Sequence, residues 1–277
     1  MTTDGAPRRP GFPLKMPAST GNLSAPKSGA ARAYIQSATA LKQPLKEPQN
    51  AVLSIAAGIG LDSAAVRARM VQKLAAQGVQ DSRVLAAMGH VERHRFVDSA
   101  LVNQAYEDTS LPIGLGQTIS KPNVVARMLE LLVKGQNQQQ DGKLGRVLEI
   151  GTGCGYQAAL LAQLATEVYS IERLRGLHDK ARDNLRPLRV GNLHLLFGDG
   201  MLGYAKGAPY AAIIAAAGGE ALPQAWLDQL TIGGRLVAPV QGANGAQALV
   251  VVDKTERGIT QTLLEAVHFV PLKSGTS

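Results

Sequence analysis

Two acids and a run of glycines have the spacing to hold a nucleoside. Gly151, Gly153 and Gly155 alternate directly after Arg146-Val-Leu-Glu-Ile150, whose apolar, β-branched run reads as a buried strand. Small and apolar residues from Gln157 to Ala162 then start a helix. Glycines let a backbone turn sharply and approach a ligand, and a helix start offers unpaired N–H groups. Glu172 lies 21 residues after Gly151, at the end of a second strand, Glu167–Ile171. A carboxylate there can accept both hydroxyls of a ribose. Asp199 follows a third strand, Leu193–Phe197, inside Gly198-Asp-Gly200, where it can meet an adenine amino group. The spacing is Gly-x-Gly-x-Gly, not the Gly-x-Gly-x-x-Gly of dinucleotide binders. Glycine corner, ribose acid and adenine acid together fit S-adenosylmethionine better than NAD. The plainer alternative is an ordinary turn with a surface Glu and Asp.

A second polar stretch precedes the corner. Tyr106 to Asn123 is rich in loop formers and ends at Pro122, which suits a first helical turn. Val124, Val125, Met128, Leu129 and Leu132 give the following helix an apolar face. Ser120 stands at or beside its N-cap. It either caps that helix or joins Gln117 and Thr118 in a polar loop facing the corner.

The elements that must position these groups alternate between helix and strand. Asp62 reads as the N-cap of a first helix with Val66, Met70 and Leu74, and a second helix starts near Asp81 with Val84, Leu85 and Met88. Gly78 ends the first helix. Glu92 to Phe96 reads as a charged link with His94 solvated. Lys134 to Lys143 reads as a solvated linker. Leu174, Leu177, Ala181 and Leu185 define a helix stopped by Pro187. Tyr210–Ala217 is a fourth strand. Leu222, Trp226, Leu227 and Leu230 belong to a helix, and Gly233-Gly234 turns into a fifth strand, Arg235–Val240. Gln247–Asp253 and Thr260–Val267 form a closing pair of strands. Such alternation gives a mostly parallel sheet covered on both faces, with ligands at the carboxyl ends of its strands.

Composition bounds the rest. The chain has 277 residues, is 45% hydrophobic and carries a formal charge of +8. Residues 1–60 hold seven Lys/Arg against two acids, and residues 61–277 hold the remaining 22 against 19. The excess therefore sits in a proline-rich stretch expected to be a disordered basic tail. The near balance of 61–277 argues against a nucleic-acid binder. No apolar run approaches the ~20 residues of a membrane span. The single cysteine, Cys154, permits no internal disulfide and fits a reducing cytoplasm. No His/Cys/Asp cluster has metal-ligand spacing.

Tyr106-Glu-Asp, Leu111-Pro-Ile-Gly-Leu-Gly-Gln-Thr-Ile-Ser120, Val147-Leu-Glu-Ile-Gly-Thr-Gly-Cys-Gly-Tyr156, Gly198-Asp-Gly200 and Val267-His-Phe-Val-Pro-Leu272 together resemble the protein-L-isoaspartate O-methyltransferases. The resemblance spans about Ser63 to Lys273. It implies an α/β, Rossmann-like S-adenosylmethionine-dependent methyltransferase fold, with a mostly parallel sheet, helices on both faces and an added antiparallel strand. It implies methyl transfer to the α-carboxylate of L-isoaspartyl residues in damaged proteins. The family's active-site serine maps onto Ser120. The cofactor is expected at Glu149, Gly151, Thr152, Gly153, Glu172, Asp199 and Gly200, and the substrate at Gln117, Thr118 and Ile119. A cytoplasmic monomer with a methyltransferase domain over 61–277 is expected. Methyl transfer to another acceptor, nucleic acid or small molecule, is the alternative, and a non-catalytic cofactor-binding module is a third. Four positions depart from the family pattern. Cys154 replaces a serine, Asn123 an aromatic residue or His, Ala211 an Asp, and Gly218-Gly-Glu220 an apolar, proline-containing stretch.

Overall fold

Apolar residues alternate along the strands, and that alternation sorts the core into two layers. In the computed structural model, which describes residues 64–136, 141–242 and 245–277, seven strands form one sheet in the order β5-β4-β3-β6-β7-β8-β9. These are β3 (Leu144–Ile150), β4 (Ala165–Glu172), β5 (Leu193–Phe197), β6 (Tyr210–Ala215), β7 (Leu230–Gln241), β8 (Gln247–Thr255) and β9 (Gly258–Val267). β3 to β7 pair in parallel, and β8 is antiparallel to both β7 and β9. One strand, β8, therefore runs against the other six. Val147, Val168, Ala212, Ile214, Val237, Leu249 and Val251 point to one face and Leu148, Ile150, Ile213, Leu236, Val250 and Val252 to the other.

Helix cover is uneven. The first face packs against α1 (Ala64–Ala76), α2 (Ser82–His90), α3 (Pro122–Val133), α4 (Tyr156–Leu164) and α5 (Arg175–Leu185). The second carries only the short α6 (Gln224–Gln229), with Trp226 fully buried, and a layer of tyrosines. α4 buries every residue but Gln163, as an all-round apolar helix must. α2 starts beside Asp81 as expected, and Asp81 caps it by accepting from the backbone N–H groups of Arg83 (2.9 Å) and Val84 (3.3 Å). Pro122 opens α3, and Gly78 (φ +102°) follows α1. The expected tail over 1–60, the Asp62 cap and part of the 134–143 linker lie outside the described residues.

Four segments differ from the sequence reading, each through contacts distant in the chain. The 106–123 loop contains an antiparallel hairpin, β1 (Leu111–Gly114) and β2 (Gln117–Ile119), pairing Leu111 with Ile119. Gly233-Gly234 lies inside β7, where the register against β6 slips. The 222–230 helix is shorter, because Leu230 already pairs with Tyr210. The 92–96 link is not solvated. It forms a 3-10 turn, Arg93–Phe96, with Arg93 and Phe96 buried, and His94 Nδ1 lies 2.7 Å from Tyr106 Oη.

Candidate active site

A parallel sheet leaves a crevice where its strand order reverses. Here β3 has its successor β4 on one side and β6 on the other. A cleft of about 510 Å³ opens at their carboxyl ends.

The glycine corner forms its floor. Gly155 precedes α4 with φ +93°, and a Cβ there would lie 2.8 Å from Leu185 Cδ1. Gly153 has φ +56°, and its Cβ would sit 3.2 Å from Ile113 Cδ1 of the hairpin. Side chains at these positions would push α5 and the hairpin off the corner. Glu172, at the end of β4, lines the cleft. Its Oε2 accepts from Gly153 N (2.9 Å) and its Oε1 from Leu174 N (2.9 Å). Each oxygen keeps acceptor capacity for a further donor.

The hairpin forms the opposite wall. Gln117, Thr118, Ile119 and Ser120 line the same cleft as Gly151, Thr152, Gly153 and Glu172. Lys180 of α5 fastens the hairpin by donating to Ile113 O (2.9 Å). The N-cap of α3 is Lys121, so Ser120 does not cap that helix. Ser120 also borders a second cleft of about 460 Å³, with Lys121, Asn123, Arg127, Glu265 and His268 among its walls.

Three of the expected cofactor residues do not line the cleft. Glu149 is wholly buried beneath the corner. Its Oε2 accepts from Ser170 Oγ (2.5 Å), which lies 2.6 Å from Thr152 Oγ1. Burial pushes its carboxyl up to about 8, so it braces Thr152 as a neutral group at pH 7. Asp199 Oδ1 accepts from Met201 N (2.9 Å) and Oδ2 from Gly275 N (2.7 Å). Gly200 is buried, its carbonyl accepting from Trp226 Nε1 (2.8 Å), and a Cβ there would lie 2.6 Å from Ile150 Cγ2.

Sequence reasoning missed two parts of the site. One is Arg93, fully buried, whose Nε donates to Ala105 O (2.7 Å) and whose Nη2 donates to Ser120 O (2.8 Å). Nothing in Glu92-Arg-His-Arg95 marks it off from exposed Arg95. The other is the stretch after β9, of which Val270, Pro271 and Lys273 line the first cleft. Val267–Leu272 carries part of the family resemblance, but nothing in its residue types marks it as a cleft wall.

The departures separate by position. Ala211 sits near the start of β6, at the end away from the cleft. Asn123 borders the second cleft, and its Nδ2 donates to Gln77 Oε1 (2.8 Å). Gly218 gives its backbone to the returning stretch, donating to Val270 O (2.9 Å) and accepting from Leu272 N (2.8 Å). A Cβ there would lie 2.7 Å from Gln247 Nε2, so this departure makes room for the crossing. Cys154 is buried, and burial pushes its thiol up to about 11, which keeps it protonated and structural.

Comparison with known proteins agrees with this fold. The family profile of protein-L-isoaspartate(D-aspartate) O-methyltransferase (PCMT) matches residues 64–277. The protein-L-isoaspartate O-methyltransferase of Methylibium petroleiphilum is 65% identical over 222 residues, covering 79% of this chain and 81% of its own. That of Leptothrix cholodnii is 53% identical over 289 residues, covering 100% of this chain and 98% of its own. A solved protein-L-isoaspartate O-methyltransferase superposes with TM-score 0.66 at 26% identity, over 75% of this chain and 66% of its own. A beta-aspartate methyltransferase from Plasmodium falciparum in complex with S-adenosyl-L-homocysteine gives TM-score 0.64 at 23% identity, over 75% and 98%. With its reversed β8, its glycine corner and the Gln117–Ser120 wall, the chain belongs to the protein-L-isoaspartate(D-aspartate) O-methyltransferase family.

Proposed function

We propose that methyl transfer takes place at Ser120, where the two clefts meet. The enzyme methylates the α-carboxylate of L-isoaspartyl residues with S-adenosylmethionine, which begins the repair of damaged proteins. The observation that carries the site assignment is that Ser120, alone among the described residues, borders both clefts.

S-adenosylmethionine supplies an electrophilic methyl group that a carboxylate can take without any proton having to move. The residues fit that group. The first cleft has a ligand-sized volume, a floor where the backbone of Gly151 and Gly153 is laid bare, and a buried carboxylate at the end of β4. Glu172 would hold the ribose, Gly151, Thr152 and Gly153 would border the methionine part, and Asp199, from the edge, would meet the adenine. Gln117, Thr118 and Ile119 would close the wall between donor and acceptor. In the second cleft Lys121 and Arg127 stand beside Glu265, with which Arg127 pairs (2.9 Å), so its walls can both donate to and accept from a peptide segment. Ser120 would donate its hydroxyl to the isoaspartyl carboxylate and aim it. The carboxylate nucleophile is already ionised, so the site needs no general base, and holding it and the methyl in near-attack geometry supplies roughly 7–11 kcal/mol.

We also infer a cytoplasmic monomer that acts without nucleic acid. The lone cysteine and the near-balanced charge of residues 61–277 support that reading, with 1–60 a tail outside the transferase domain. Among the described residues no helix is long and apolar enough to cross a membrane.

Two peptides differing only in one Asp or isoAsp linkage, each incubated with methyl-labelled S-adenosylmethionine, test the assignment. Base-labile label is expected on the isoAsp peptide alone. Ser120→Ala removes one hydrogen bond to a charged group, worth about 1.5–3 kcal/mol. It should lower kcat/KM about 10- to 150-fold while cofactor affinity holds. Full turnover by Ser120→Ala would remove Ser120 from the mechanism. Label on neither peptide would point to another acceptor.

A further inference from the structure

Arg93 is a buried cation that no carboxylate contacts; Asp108 acts on it only through space. Its side chain has no solvent exposure, and Nη1 has no hydrogen-bond partner. Among the described residues no carboxylate lies within ion-pair distance of it. An uncompensated buried charge is costly, and cores normally avoid one or pair it. The guanidinium lies over the Tyr156 ring, 4.9 Å from its centroid, a contact that offsets part of that cost.

Its position links the two halves of the site. Nη2 holds the carbonyl of Ser120, Nε holds the carbonyl of Ala105, and the ring beneath it belongs to the first residue of α4. Tyr156 and Ser120 both line the first cleft. One side chain thus ties the acceptor wall to the corner that receives the methyl donor. The reaction itself supplies the missing charge: the substrate arrives as a carboxylate and leaves as a neutral ester.

We propose that Arg93 is a positioning residue that fixes Ser120 and supplies the positive charge by which the site tells an α-carboxylate from an uncharged group. This rests on Ser120 being the acceptor-side residue. The same charge favours release of the neutral methyl ester once it has formed. Arg93 acts through the Ser120 carbonyl and through its field, without touching the reacting atoms.

The test is a binding comparison on the full chain with S-adenosyl-L-homocysteine present. One peptide carries isoaspartate, and the other is identical but has its α-carboxylate capped as the carboxamide. The native protein should prefer the carboxylate at least tenfold. Arg93→Met and Arg93→Gln should shrink that ratio to about threefold or less, with S-adenosyl-L-homocysteine affinity within about threefold of native. Arg93→Gln guards against loss of folding, because it can still donate to Ser120 O. Arg93→Lys keeps the charge and should rescue most of the preference, at a lower kcat because one donor group replaces the fork. Neutral variants that lose affinity equally for both peptides, or keep the native ratio, would overturn the electrostatic role. Ser120→Ala run alongside separates the two ideas. If Ser120→Ala keeps full turnover while Arg93→Met still loses the preference, the Ser120 assignment fails and the charge assignment survives.

Discussion

At the residue scale, Glu172 takes backbone N–H groups on both oxygens at the end of β4, whereas Glu149 is shut away beneath Thr152. Glu172 and Ser120 could be singled out because each sits at the end of a readable element. Glu149 was readable as part of the same motif, but its role changes with its surroundings. Zero exposure and a neighbouring Ser170 hydroxyl make it a brace beneath Thr152 rather than a cleft wall. That burial has a consequence for stability. Its carboxyl is held up at about 8, from an ordinary value of 4.5, so the folded protein binds this proton more tightly than the unfolded chain does. The stabilisation is fully present below the unfolded value and is lost as pH rises through the folded one. Glu149→Gln keeps the shape and cannot ionise. Between pH 5 and pH 8.5 the native Tm should fall more steeply than that of Glu149→Gln, as scanned by calorimetry. Parallel slopes would mean that Glu149 is not the responsible group. Arg93 was illegible for the same reason as the role of Glu149: its meaning comes from carbonyls 12 and 27 residues away.

At the element scale, the parallel βα units were legible because their patterns are local. Apolar runs of strand length alternate with helices, which makes β3 to β7 parallel but leaves their order in the sheet open. The β1–β2 hairpin was not, because its Gly114-Leu-Gly116 turn takes three consecutive positive φ values and its strands pack on Gly153 and α5. The joint between α1, α2 and α3 was equally hidden. Glu130 of α3, 1% exposed, accepts from Gln80 N (2.6 Å) and Asp81 N (3.0 Å) and pairs with Arg127 and Lys134. Burial alone would raise its pKa. The two backbone N–H groups and Lys134 outweigh that and hold it below the ordinary value. A depressed carboxylate stabilises above the unfolded pKa, and the gain is lost as pH falls through the folded one. Glu130→Gln should cost about 1–3 kcal/mol at pH 7, by urea titration, and progressively less below pH 4.5. Because α3 starts one residue beyond Lys121, loosening this joint should also raise the peptide KM. A variant of native stability at pH 7 would mean that apolar packing alone joins these helices.

At the scale of the whole molecule, the stretch after β9 leaves the edge of the sheet and returns across the strand ends. Val270 and Leu272 bond to Gly218 beyond β6. Gly275 then donates to Asp199 and accepts from Arg173 Nε (2.9 Å). Ser277 donates to Arg173 O (2.9 Å) and accepts from Arg175 N (2.8 Å). The path borders the first cleft through Val270, Pro271 and Lys273, and it ties down Asp199 and Arg173, the residue after Glu172. No local pattern could disclose this, since it joins residues 76 apart. Residues 273–277 are exposed, so they add little to global stability and a change there tests this path selectively. Gly275→Pro removes the N–H that Asp199 accepts and cannot adopt φ +73°. Its Tm should stay within about 2 °C of native, because a ΔΔG well below 1 kcal/mol moves a domain of this size by no more than that. S-adenosylmethionine affinity, by calorimetry, should weaken about fivefold or more as Asp199 and Arg173 lose their common tether. Unchanged affinity would show that the path does not shape the nucleoside end. Tighter binding would show that Gly275 stands in the adenosine's place and must yield to it.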